Sequence, residues 1–261
     1  MDVSPSAMSE STAVRTVLVT GSARRIGAAI VRRLHASGWN TAIHYGSSAE
    51  EARALVAELD HQRPGRAAAF PADLRDEHAG PNLVQAVRAK FGGLHALVNN
   101  ASSYFPGPLG SITAAAVDEL VATNLKAPLL LTQAAWQAGG LQGVVNLLDA
   151  HSRSQPRVGF AAYTAAKDGL WSLTESLAVE LAPVVRVNGV ALGHIAATVR
   201  TLPSAAERID LIDKATQLPR VPMGRFGDET DVAEAVDWLL SDAARYITGT
   251  VITIDGGRRL A

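Results

Sequence analysis

The 261-residue chain (27.3 kDa) is 48% apolar, enough to bury one substantial core. A net charge of −1 and a pI of ≈ 6.7 give no electrostatic case for nucleic acid or an anionic membrane as partner. The lack of cysteine excludes disulfides and thiolate chemistry, the 7 histidines lack metal-ligand spacing, and no apolar run reaches membrane-span length, so a soluble, cytoplasmic, metal-free protein is expected.

Residues 1–13 are polar and read as a disordered leader; 14–261 read as one domain. Thr16 to Thr20 is a short β-branched run of the kind buried in parallel sheets. Gly21 ends it, and Ile26, Ile30 and Leu34 then recur at helical spacing until Gly38. Asn40 to His44 gives a second strand. Ser48-Ala49-Glu50-Glu51 has the pattern of a capping box, with Ala52, Leu55, Val56 and Leu59 behind it. Arg66 to Phe70 follows as the third strand, and Leu83, Val87 and Phe91 mark a third helix. His95 to Asn99 is the fourth strand, and a helical stretch over 113–139 is interrupted near Pro128.

Gly143 to Leu148 reads as the fifth strand, followed by an irregular segment through Pro156 and Gly159. A long helix is predicted from Phe160 to Leu181, closed by Pro183; Val185 to Ala191 and Val251 to Ile254 complete seven strands. Strands alternating with helices at this spacing imply βαβ crossovers and a single-domain, Rossmann-type doubly wound parallel sheet with helices on both faces. Residues 193–227 break the alternation and read as a lid over a site.

Four places carry chemistry. The first strand-to-helix turn, Thr20 to Gly27, is where a dinucleotide pyrophosphate would meet the positive end of a helix. Gly21 allows the tight exit and Gly27 the close packing, while Arg25 occupies the usual middle-glycine position. The second strand ends His44-Tyr45-Gly46-Ser47-Ser48, without the carboxylate that binds the ribose hydroxyls of NAD. With Arg24 and Arg25 close by, this end favours NADPH. Asp73 and Asn100-Ala101 stand at carboxyl ends of strands, where adenine and nicotinamide contacts belong. Finally, Tyr163 and Lys167 are four residues apart, one above the other on a helix face, and Asp149 arrives from the preceding strand. An ammonium beside a phenol would lower the tyrosine pKa for general acid/base work.

The turn 20–27, Asn99-Asn100-Ala101, Asn124, Tyr163-x-x-x-Lys167 and Ile254-Asp255-Gly256-Gly257 together resemble the short-chain dehydrogenase/reductase family over nearly the whole chain. Arg25, the extension Ser102-Ser103-Tyr104-Phe105-Pro106, and Asp149 in place of a serine resemble its pteridine reductase branch. The resemblance implies NADPH-dependent reduction of a C=N bond in a dihydropterin: dihydrobiopterin, dihydromonapterin or dihydrofolate. Asp149 and Tyr163 would deliver the proton, Lys167 would lower the tyrosine pKa and hold the nicotinamide ribose, and Asn124 would hold a relay water. It also implies cofactor contacts at Gly21, Arg24, Arg25, Ile26, Gly27, His44, Tyr45, Ser47, Ser48, Asp73, Leu74, Asn100, Ala101, Ser102, Tyr163, Lys167 and Gly193. Substrate contacts fall on Arg25, Ser102, Tyr104, Asp149 and Tyr163, with Tyr104 as the stacking ring, and the assembly would be a homotetramer.

A basic residue is usual in the family at Ser47, so the 2′-phosphate would rest on Arg24, His44, Ser47 and Ser48. The segment from Asp149 to Tyr163 is slightly longer than in the family, and the usual Pro-Gly is Leu192-Gly193. His151 and His194 border the site and read as structural or solvent-facing, and Trp136, Trp171 and Trp238 as core or subunit-interface residues. Two other readings stand beside the first: a carbonyl reductase of 3-oxoacyl thioesters or small ketones, and a non-catalytic NADP(H) sensor. Asp149 and Ser102 weigh against the carbonyl reductase, and retention of Asn124, Tyr163 and Lys167 against the sensor.

Overall fold

Seven apolar segments pair as parallel strands in the computed structural model, which describes residues 14–195 and 220–261. They are β1 (Thr16–Val19), β2 (Asn40–Tyr45), β3 (Ala67–Pro71), β4 (Ala96–Asn99), β5 (Gly143–Asp149), β6 (Arg186–Leu192) and β7 (Val251–Ile254). Their order, β3-β2-β1-β4-β5-β6-β7, reverses direction between β1 and β4. A crevice opens at the carboxyl ends of the strands where such an order reverses, and ligands bind there.

The helices are α1 (Arg25–Ala36), α2 (Ala49–Gln62), α3 (Ala79–Phe91), α4 (Ala114–Val121), α5 (Ala127–Gln137), α6 (Ala150–Ser154), α7 (Ala161–Glu180) and α8 (Glu229–Leu240). Successive residues of a strand point to opposite faces, and β1 shows the result. Val17 and Val19 enter a core with Ile30 and Leu34 of α1, Leu59 of α2 and Val236 of α8. Leu18 enters the other, with Val87 of α3, Leu131 of α5 and Leu177 of α7. Both faces of the sheet are thus covered, which is why its strands read as unbroken apolar runs.

Several local features differ from the sequence reading. Ser48 caps α2 by position but makes no side-chain cap bond, and the Glu51 side chain that would complete the box lies 3.3 Å from Arg24 instead. The break near Pro128 is a π-helical turn, Ala122–Lys126, in which the Ala127 N–H reaches back to the Ala122 carbonyl. Pro128 itself follows in the first turn of α5, with helical backbone running straight into it from the π-turn. Strand β5 runs on to Asp149, and the supposed irregular segment begins as the short helix α6. Helix α8, which the chain-order reading did not place, starts at a reciprocal capping box between Asp228 and Asp231. The leader 1–13 and residues 196–219 of the expected lid lie outside the described residues.

Candidate active site

The carboxyl ends of β1, β2, β4, β5 and β6 line one cleft of about 1120 Å³, larger than the usual drug-sized pocket. Every predicted site residue stands on its wall except Asn124, which is fully buried.

One half of the cleft is made chiefly of backbone. Helix α1 opens with no side-chain cap and no acidic residue in its first turn, so its leading N–H groups and positive end are left for an anion. Gly21 (φ 58) and Arg25 (φ 52) both adopt left-handed conformations. For arginine this costs about 1 kcal/mol, a strain of the sort that collects at binding turns. A Cβ on Gly27 would come within 2.6 Å of the Ser22 Cα and 2.7 Å of the Gly21 carbonyl oxygen. Asn100 secures the turn from β4: its amide donates to the carbonyls of Thr20 (2.8 Å) and Gly21 (3.0 Å).

His44 has a different part from the expected one. Its Nδ1 accepts from the Gly21 N–H at 3.0 Å and its Nε2 lies 3.1 Å from the Ala72 carbonyl, so both ring nitrogens serve the backbone. Burial lowers its pKa, which suits a neutral ring with the proton on Nε2. Arg24, Arg25 and Arg75 line the same cleft as Ser47 and Ser48; Arg75 also clamps Asp73, whose carboxyl its side-chain and backbone hydrogen bonds hold at about 2.

The other half is made of ionisable side chains. Tyr163 and Lys167 lie on the buried face of α7, and the Tyr163 hydroxyl donates to Asp149 Oδ2 at 3.2 Å. The slightly long loop therefore does aim the carboxylate at the phenol. Asp149 Oδ1 accepts the His151 backbone N–H at 2.8 Å and lies 3.2 Å from the His151 ring. Burial pushes the Asp149 carboxyl up, but the hydrogen bonds and charge of His151, with Arg157 beyond, outweigh it and hold the carboxyl below its ordinary value.

The expected lowering of the Tyr163 pKa is overturned. Burial raises it first, and the charge and hydrogen bond of Asp149 raise it further. Lys167 does not offset this, because its Nζ donates to the Leu147 carbonyl at 3.0 Å and burial lowers its own pKa to about 8. The centre is thus an ionised carboxylate accepting from a protonated phenol.

The Asn124 side chain is fully engaged by protein groups. Both N–H groups are spent on the carbonyls of Ser103 (2.9 Å) and Leu120 (3.0 Å), and Oδ1 accepts from Ser102 at 2.6 Å. The π-turn points this side chain inward, where it fixes the Ser102-Ser103 loop rather than presenting a donor to a relay water. Tyr104, 51% exposed, stacks on Phe160 at 4.9 Å and meets the edge of Tyr163 at the same distance. Arg157 donates to its hydroxyl at 2.8 Å.

Sequence reasoning missed Arg157 and set His151 and His194 aside. All three face the cleft, and His151 is 6% exposed rather than solvent-facing. Spacing offers no signal for Arg157, whereas His151, two residues past Asp149 at a strand end, was within local reach of it. Beneath the site, Asn99 donates to Asn146 at 2.8 Å and Asn146 to Thr174 at 2.9 Å, tying β4, β5 and α7 into one platform.

Residues 21–259 match the family model described as Enoyl-(Acyl carrier protein) reductase. The chain is 35% identical to "Pteridine reductase 1" of Leishmania tarentolae, over 97% of this chain and 99% of that protein. It is 34% identical to "3beta-hydroxysteroid dehydrogenase 1" of Eggerthella lenta, over 94% of each chain. It is also 34% identical to the 3-oxoacyl-acyl-carrier-protein reductase FabG of Staphylococcus aureus, over 93% of this chain and 97% of that one.

Proposed function

Because the chain belongs to the short-chain dehydrogenase/reductase family, we propose that this oxidoreductase is an NADPH-dependent reductase of dihydropterins. The observation that carries the reading is the Tyr163–Asp149 hydrogen bond of 3.2 Å. A carboxylate beside the phenol opposes the phenolate and makes Tyr163 a weak acid. Carbonyl oxygen is a poor base and asks for a stronger donor. The nitrogen of a C=N bond is much more basic and can take its proton from a weak one.

NADPH, when bound, would supply the hydride from its nicotinamide to the ring carbon next to that nitrogen. The uncapped start of α1 and the glycine-shaped turn suit its pyrophosphate. Arg24, Ser47 and Ser48, with no carboxylate ending β2, suit its 2′-phosphate. Ser102, held by Asn124, and Arg25 stand where the edge of a pterin would lie, and the exposed Tyr104 ring offers a stacking surface. Tyr163 gives its proton to the substrate nitrogen, and Lys167 stands ready for the nicotinamide ribose. Dihydrobiopterin, dihydromonapterin and dihydrofolate are the candidate substrates. A cytoplasmic homotetramer belongs to the same reading: no described helix is long and apolar enough to cross a membrane, and Trp136 is 50% and Trp238 40% exposed.

Reduction of a 3-oxoacyl thioester is the second reading, favoured by the 34% identity to FabG. The test is a panel of three dihydropterins and an acetoacetyl thioester, each with NADPH or NADH, following nicotinamide absorbance. Turnover of a dihydropterin with at least about tenfold preference for NADPH is expected. Turnover of the thioester alone would replace the first reading with the second.

A further inference from the structure

The Asp149 carboxylate has both oxygens assigned: the His151 backbone N–H holds Oδ1 whatever the side chain, and the His151 ring adds a side-chain contact from outside the tyrosine–lysine pair. Oδ1 receives the His151 backbone N–H at 2.8 Å and faces its Nδ1 at 3.2 Å, which leaves Oδ2 for Tyr163 at 3.2 Å. Rotating the carboxylate would break these contacts together. We propose that His151 is a positioning residue: it aims Asp149 at Tyr163 and, when protonated, offsets the second negative charge that appears as Tyr163 gives up its proton. The inference rests on the reading of Tyr163 as proton donor.

The proton balance makes the need for it plain. Hydride adds to the substrate carbon, the Tyr163 proton goes to the adjacent nitrogen, and the site is left with a phenolate beside a carboxylate. Two anions at that separation repel strongly where water is scarce. The groups around His151 are Asp149 from β5, Tyr163 and Lys167 from α7, Arg157 from the α6–α7 loop, His194 after β6 and Arg258 near the C-terminus. Among the described residues, His151 alone of the cationic side chains lies within ion-pair distance of Asp149. Lys167 is turned to the Leu147 carbonyl, and Arg258 meets His194 at 3.0 Å on the far side of the His151–His194 ring contact of 5.1 Å. At 6% exposure, His151 and its contact with the carboxylate are largely screened from bulk water.

His151→Asn keeps an N–H donor near the Nδ1 position but cannot carry charge, while His151→Leu removes both. The substrate panel is first run on the unaltered protein, and both variants are then assayed on the substrate it reduces, from pH 5.5 to 9. The kcat of the unaltered protein should fall as pH rises, because only the protonated form of His151 offsets the new charge. That limb should vanish in His151→Asn, with kcat lowered about tenfold at pH 6 and NADPH affinity kept within about threefold. His151→Leu should lose more. An unchanged pH profile and kcat in His151→Asn would overturn the proposal. So would a parallel fall in kcat and NADPH affinity with the limb retained, which marks a purely structural residue. Reduction of the thioester in place of a dihydropterin would sink the pterin reading while leaving His151 to be judged on that substrate; no turnover by the unaltered protein would overturn both.

Discussion

The two halves of the cleft hold their ligand surfaces by different means. At the ends of β1 and β4 the surface is backbone: Gly21, Gly27, an uncapped helix start and an Asn100 amide spent on carbonyls. At the ends of β5 and β6 it is buried ionisable side chains: Asp149 bonded to His151 and Tyr163, with Lys167 buried beside them. A shape made of backbone fails by steric exclusion and loses binding. A set of coupled charges fails by losing its protonation pattern, and so loses rate and pH dependence first.

The largest expected effect lies in the charged half. Tyr163→Phe removes the proton donor and should lower kcat about 10³-fold, while NADPH affinity stays within about threefold. Steady-state kinetics beside a fluorescence titration of NADPH would show it, and a matching loss of affinity would break the division between the halves.

Next comes Gly27→Ala in the backbone half. Its Cβ would meet Ser22 Cα, the Gly21 carbonyl and the Asn100 amide at 2.6–2.7 Å, two of them backbone atoms that cannot swing aside. NADPH affinity should fall about 100-fold or more with the circular dichroism spectrum retained. Wild-type affinity would show that this turn adapts.

A third test uses Lys167 without substrate or cofactor. Its pKa is depressed from 10.5 to about 8, so between those values the unfolded chain holds a proton that the folded one does not. Stability contributed here therefore rises with pH across that window, by about 2 kcal/mol between pH 8 and pH 10, and the penalty is complete only well below pH 8. Denaturant unfolding at pH 8 and pH 10 should show this gain in the native sequence relative to Lys167→Met. Equal pH responses of the two proteins would contradict the buried charge.

The smallest effect is expected at the rim. Arg24 is half engaged by Glu51 at 3.3 Å, both side chains being well exposed. Arg24→Ala should cut the NADPH-over-NADH preference about tenfold with little change toward NADH. An unchanged ratio would move 2′-phosphate recognition to Arg25 or Arg75.

What the sequence made legible follows the same division. Strands buried on both faces write themselves as apolar runs such as Thr16 to Thr20, so their positions along the chain and their ends were close to those observed. Glycines of the first turn mark themselves because no other residue fits. Protonation states were not legible, since they depend on which atoms end up adjacent. The four-residue spacing of Tyr163 and Lys167 put them on one face, but it could not reveal that Lys167 would choose the Leu147 carbonyl, or that Asp149 would raise the tyrosine. The π-turn has no signature in residue types, so Asn124 was expected to face the cleft rather than to be used up inside it. His44 looked like a phosphate ligand because it ends β2; only the fold showed both nitrogens bonded to backbone.

The Asp149–Tyr163 pair is the centre of this account, and Asp149→Ser addresses it most directly. Serine takes away the charge and leaves one oxygen in place of two, which cannot serve both Tyr163 and the start of α6 as the carboxylate does. The kcat for the reduced dihydropterin should fall by about 100-fold or more while the NADPH dissociation constant changes by less than about threefold. Equal losses in rate and cofactor affinity, or full activity, would show that the carboxylate caps α6 and has no part in delivering the proton.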